Sequence, residues 1–213
     1  MKSILRLLSR LLLGAGVALP LSIDAKEQPN IVFILADDIS AEDIGCYGNP
    51  GIKTPNIDRL AEAGIRFQNG FVTIASCAPS RGSIMLGRYP HATGMAELRT
   101  KDRPERAECN AFVERLDNMA QVLQQAGYYT MQSGKWHIGG LYSWNKPDGH
   151  FLKFFDSADP VNVKRNGGTY RWLELLRTRP NDKPFFCWFA TFDAHRYSSK
   201  APRVHRTEDV QVP

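Results

Sequence analysis

Three short clusters carry residue types that could do chemistry. The first is Cys77-Ala78-Pro79-Ser80-Arg81, followed by Gly82-Ser83-Ile84-Met85-Leu86-Gly87-Arg88. It sets a thiol just ahead of a proline suited to the first position of a helix, where a missing N–H is not needed. Ser80 and Arg81 then fall in the first turn, so Cys77 is expected to face a helix N-terminus, an electropositive place that favours anions and thiolates. A buried or disulfide-bonded cysteine beside a turn fits the same five residues. The second cluster is Asp37-Asp38, directly after the apolar run 31–36. Adjacent carboxylates repel one another unless a hard cation neutralises them, and their oxygens suit calcium or magnesium. A solvated turn or a helix cap is the plainer alternative. The third is Gly134-Lys135-Trp136-His137, where a cation and an imidazole share one loop; singly they would read as a surface charge and a satisfied loop histidine.

Together these clusters resemble the signatures of the type I sulfatases. Cys-x-Pro-Ser-Arg with a following Gly-Arg is similar to the family's first signature. Gly127-Tyr128-Tyr129-Thr130 with Gly134-Lys135-Trp136-His137-Ile138-Gly139 is similar to its second. Both stand in the family's order behind a similar opening strand, and 54–61 resembles the stretch that joins the carboxylate pair to the nucleophile.

The resemblance implies that Cys77 is oxidised after translation to formylglycine. One hydroxyl of the hydrated aldehyde would attack sulfur and the other would help expel sulfate, a second step that a thiol cannot perform. It further implies that Asp37 and Asp38, with the Cys77-derived oxygen, bind a divalent cation, calcium rather than magnesium. Arg81 would hold the hydrate and the metal-bound carboxylate, and Lys135 would contact the formylglycine and the sulfate. His137 would hydrogen-bond the formylglycine, and His195 would act as general acid at the leaving oxygen. The implied partners are a sulfated saccharide and a maturation enzyme, formylglycine-generating or anaerobic; neither nucleic acid nor a lasting membrane span is expected.

Some positions depart from the family. Ala194 stands where a proline is frequent between the aspartate and His195. The acid and amide pair, followed by a lysine, that completes the family's metal site has no match, because neither Asp117-Asn118 nor Asn181-Asp182 has that context. His91, His150 and His205 match nothing specific. The run 77–95 is similar to heparan N-sulfatases and their bacterial relatives, which leaves O- and N-sulfate both open. A phosphodiesterase or phosphonate hydrolase of the same superfamily is the first alternative, and a non-catalytic remnant that binds sulfated glycans is the second. Phosphatases of the fold put Ser or Thr at the nucleophile, so Cys77 speaks for sulfur.

The elements that must position these groups can be read from the pattern. The run 31–36 is long, β-branched and aliphatic, and predicts a central strand buried on both faces. Thr54, Pro55, Ile57, Leu60, Ala61 and Gly64 mark a capped helix with an apolar face. Residues 65–67 read as the start of a short strand, 71–73 bring the chain to Cys77, and 100–108 read as a charged surface loop. Leu116, Met119, Ala120 and Leu123 recur at helical spacing up to Gly127. Tyr128 to Met131 reads as a strand, 144–150 as a loop, 170–177 as a packing helix and 184–190 as the last strong strand. Strands alternating with helices predict an α/β fold: a mostly parallel sheet with helices on both faces, as in the alkaline-phosphatase-like fold that the resemblance implies, here truncated.

Composition sets the address. Lys2, Arg6 and Arg10 precede the apolar stretch 11–21, and Ala25 offers a small residue for cleavage, the pattern of a signal peptide for export to the periplasm or medium. An uncleaved anchor is the alternative. The expected layout is therefore 1–25 as signal peptide and 26–213 as an incomplete sulfatase N-terminal domain. Cleavage would remove three basic residues and one acidic residue, taking the formal charge from +5 to +3. So mild a balance does not make a nucleic-acid binder. Of the four cysteines, Cys46, Cys77, Cys109 and Cys187, the spacings are too long and irregular for a zinc site, and three disulfide pairings are possible. The resemblance runs from Pro29 to His195 and stops inside the family's first domain, so the chain is expected to be a fragment that is inactive or nearly so.

Overall fold

A computed structural model describes residues 28–96, 114–138, 154–159 and 169–192. The expected signal peptide, the loops 100–108 and 144–150, Cys109 and His195 lie outside the described residues. Four parallel strands, β1 (Ile31–Leu35), β2 (Tyr129–Gly134), β3 (Ser157–Asp159) and β4 (Phe185–Ala190), form one sheet in the order β1-β4-β2-β3. Helices α1 (Pro55–Ala63), α2 (Cys77–Leu86), α3 (Met119–Gln125) and α4 (Trp172–Thr178) lie between them in sequence. The α/β architecture expected from the alternating pattern is the one observed.

Apolar side chains pack on both sides of the central strands. On one side Met85 and Leu86 of α2 and Ala120 of α3 meet Phe186, Trp188 and Ala190, joined by Trp136, Ile138, Phe154 and Phe155. On the other, Met131, Cys187 and Phe189 meet Leu175 of α4, with Trp172 and Leu176 packed alongside. Each large side chain so buried contributes about 1.5–3 kcal/mol relative to exposure. Aromatic contacts tie strand to strand: Phe33 of β1 stacks on Trp188 of β4 with ring centroids 4.9 Å apart, and Trp136 meets Phe155 edge-on at 5.6 Å.

Expectations about elements are corrected at β1 and at 65–67. The run at β1 is not a doubly buried central strand. Ile31, Phe33 and Leu35 pack on the core, but Val32 and Ile34 are 48% and 57% exposed, because β1 ends the order of the described strands and no described element covers its other face. Residues 65–67 are loop rather than strand, and so are 71–73 beyond them. Their aromatic and β-branched content suited a strand, but they pair with no described strand, and Phe71 is 90% exposed. In the other direction, β3 is polar and three residues long, and its pairing with Met131, Gln132 and Ser133 comes from tertiary contact alone. The apolar face expected of α1 forms as a helix face, but Ile57 and Leu60 remain exposed among the described residues.

Candidate active site

All the described residues singled out for chemistry, Asp37, Asp38, Cys77, Arg81, Lys135 and His137, sit at one end of the molecule. β1 delivers Asp37 and Asp38 just past its carboxyl end, and β2 delivers Lys135 and His137 just past its own. The carboxyl ends of parallel strands are where open α/β sheets build their sites. Between β1 and β4 the sheet continues beyond the strands, since the Thr191 N–H donates to the Leu35 carbonyl at 3.0 Å.

Cys77 is itself the first residue of α2, after Ser76 as N-cap, so the helix starts two residues earlier than Pro79 suggested. Pro79 is still within the first turn, where its missing N–H removes no intrahelical bond. Cys77 is half-buried, and Arg81, one turn further on, is buried. Cys46, Cys77 and Cys187 are all free thiols, and burial pushes the Cys187 thiol up to about 12, which makes it chemically inert at neutral pH.

At the centre lies Asp37, only 3% exposed. One carboxylate oxygen accepts from an Arg81 terminal nitrogen at 3.0 Å, and the other is in contact with the Lys135 ammonium. The second Arg81 terminal nitrogen donates to the Lys135 carbonyl at 2.8 Å, closing a ring of three buried side chains and one backbone group. Burial works to raise the Asp37 pKa, but the Lys135 bond and charge, with those of Arg81, outweigh it and hold the carboxyl below its usual range. Burial lowers the Arg81 guanidinium below its ordinary value, opposed by Asp37, Cys77 and Asp38. Arg81 thus presents a cation beside Cys77 that suits an anionic group, with Asp38 adding a carboxylate to the same cavity.

Above this ring opens a cavity of about 790 Å³, whose walls include Asp38, Ser40, Asp43, Ile74, Cys77 and Arg81. Asp38 and His137 both hold left-handed backbone, with φ of 52° and 54°, a conformation rare outside glycine that gathers at functional sites. His137 is buried, and neither it nor Lys135 lines the cavity; Lys135 reaches Asp37 from within the protein. Ser40, Asp43 and Ile74 were not among the residues singled out by type. Asp43 accepts from the Ser40 N–H at 2.8 Å and from its hydroxyl at 3.2 Å, a capping box legible as Ser-x-x-Asp.

For calcium the donor set is chemically right but short. Both Asp37 oxygens are engaged by cations, Asp38 stands alone at the rim, and no group of three His, Cys, Asp or Glu side chains able to hold a metal occurs among the described residues. Six to eight oxygens are usual. The described residues by themselves therefore do not make a calcium site.

The sulfatase family model matches residues 29–211. The chain belongs to the sulfatase family. Its N-acetylglucosamine-6-O-sulfatase relative from Bacteroides thetaiotaomicron is 30% identical over 191 residues, 83% of this chain and 32% of that protein. Human arylsulfatase A is 39% identical over 148 residues, 68% of this chain and 25% of its own length. A solved structure of a protein in complex with its substrate D-glucosamine-2-N,6-O-disulfate superposes with a TM-score of 0.62 at 30% identity, over 80% of this chain and 35% of that one. This sulfatase chain thus spans about a third or less of the lengths of these relatives. Its parallel sheet with flanking helices is that of its structural neighbours. Among the described residues no helix is long and apolar enough to cross a membrane.

Proposed function

We propose that the protein of which this chain is part hydrolyses sulfate groups on saccharides after export, through a formylglycine made from Cys77. The observation that carries the reading is the placement of Cys77 at the start of α2, with Arg81 one turn on, bonded to Asp37 and through it to Lys135. A partner maturation enzyme, which brings the oxidant, turns the Cys77 side chain into an aldehyde, and water adds to give the geminal diol. One diol hydroxyl gives its proton to solvent as its oxygen attacks sulfur, and the bond from sulfur to the sugar oxygen breaks. The sugar oxygen takes a proton from His195, the acid proposed for that step. The second hydroxyl then gives up its proton, the aldehyde re-forms and sulfate leaves. Arg81, in the cavity wall, holds the charge of the sulfate oxygens as it shifts, while Lys135 backs it through Asp37 and His137 supports the same end of β2 from within the protein. Calcium, if the protein binds it, would take Asp37 and Asp38 as two of its ligands, supply charge to hold an anion, and need further ligands from outside the described residues.

The relatives named for N-acetylglucosamine-6-O-sulfate and for D-glucosamine-2-N,6-O-disulfate favour a sulfated amino sugar, with O- or N-sulfate to be decided by assay. Co-expression with a maturation enzyme, followed by mass spectrometry of the peptide carrying Cys77, is expected to show the aldehyde or its hydrate. An intact thiol under those conditions removes the catalytic reading. With calcium donors short among the described residues, the 213-residue chain assayed by itself is expected to turn over aryl sulfates at the limit of detection.

A further inference from the structure

Gln132 lies on β2 with no solvent exposure, opposite Trp188 of β4 in the register. A primary amide in such a place is costly unless hydrogen-bonded. Its Nε2 donates to the Gly134 carbonyl at 2.9 Å, two residues along its own strand. That carbonyl belongs to the peptide at which the chain turns out of the sheet. Gly134 has a φ of 93°, and a Cβ there would come within 1.7 Å of the Ala190 carbonyl oxygen. The next N–H, that of Lys135, donates to this same oxygen at 2.9 Å, and the next carbonyl, that of Lys135, accepts from Arg81. Gln132, Ala190 and Arg81 thus hold three consecutive polar groups of the turn. Backbone fixed in this way leaves Lys135 one direction in which to leave the strand, and that direction ends on Asp37.

We propose that Gln132 is a positioning residue: by holding the Gly134 carbonyl it aims the Lys135 ammonium at Asp37. Its bearing on turnover rests on the sulfatase reading, but the geometry it sets does not. A methionine of similar length fills the same space and cannot donate. Without the donor the Gly134 carbonyl is buried and unpaired, the 134–135 peptide is free to rotate, and Lys135 spends time away from Asp37.

The test is pulsed acylation of lysines on the folded full chain, read by peptide mass spectrometry, with exposed Lys53 and Lys183 as internal references. Gln132→Met, and the shorter Gln132→Asn should the first variant fail to fold, are expected to raise Lys135 labelling about tenfold relative to those references, the factor that one lost buried hydrogen bond allows. Thr130→Val removes another buried polar group of β2, one bonded to Asp156, and is expected to lower stability while leaving the Lys135 ratio as in the parent. An unchanged Lys135 ratio in the folded Gln132 variants would overturn the proposal. So would an equal rise in Thr130→Val, or a rise shared by all lysines, since Gln132 would then serve the fold alone. Failure of Cys77 conversion would leave this result untouched and would count only against the sulfatase chemistry.

Discussion

The exits of β1 and β2 are built on one plan and finished in opposite ways. Each strand passes a small residue, Ala36 or Gly134, then places a buried charge, Asp37 or Lys135, and then a non-glycine residue in left-handed backbone, Asp38 or His137. The two buried charges meet. Beyond them the β1 exit opens: Asp38 to Ser40 are exposed and line the cavity. The β2 exit stays closed, with every residue from Thr130 to Ile138 buried. One exit can therefore meet a ligand, and the other is a fixed support that carries charge up from the core. The same residue type does different work on the two sides of one peptide bond, since Asp37 is a counter-ion to two cations while Asp38 is free to face a ligand.

Breaking the buried half should have the largest effect. Asp37→Asn leaves Lys135 and Arg81 buried without their carboxylate, at an expected loss of about 3–5 kcal/mol in urea unfolding. The same variant should lose an acid-sensitive part of the stability curve. Because the folded pKa of Asp37 is depressed, its contribution is full above the unfolded carboxylate value of about 3.9 and fades as pH falls through the lower folded value. Parent and variant curves should therefore converge in acid. Parallel curves across that range would mean that Asp37 is not the paired carboxylate described here.

A smaller loss is expected at the closed exit. Gly134→Ala forces a left-handed side chain against the Ala190 carbonyl and should cost about 2–4 kcal/mol, with the β2–β4 pairing the first to loosen in hydrogen exchange. Unchanged protection of the Lys135 and Ala190 amides would show that the turn yields more easily than its contacts imply. The smallest effect is expected at the open exit, where Asp38→Asn and Asp38→Gly should each change stability by less than about 1 kcal/mol, with Gly the more stable of the two because it relieves the positive φ. A large loss at Asp38 would erase the contrast between the exits.

Much of this was legible in the chain. Hydrophobic runs of the right length marked β1 and β4, and Tyr128 to Met131 marked β2, because β-branched and aromatic residues suit a pleated sheet and the alternation of such stretches with helical spacing admits few folds. The reactive clusters were legible because Cys77 with Arg81, Asp37 with Asp38, and Lys135 with His137 each lie within one turn or loop, where local geometry keeps sequence neighbours together. Tertiary structure alone decided the rest. That Asp37 serves as counter-ion to Arg81 and Lys135 depends on partners 44 and 98 residues away, and no local pattern records a pairing across strands. Edge or centre for β1 among the described strands, strand or loop for 65–67, and the short β3 with its Ser157 and Asp159 depended on which neighbour came alongside, since a strand is stabilised by its partner's backbone and not by its own. The buried amide of Gln132 is the plainest case: glutamine is a mostly exposed residue type, and only the turn at Gly134 gave it a carbonyl to hold.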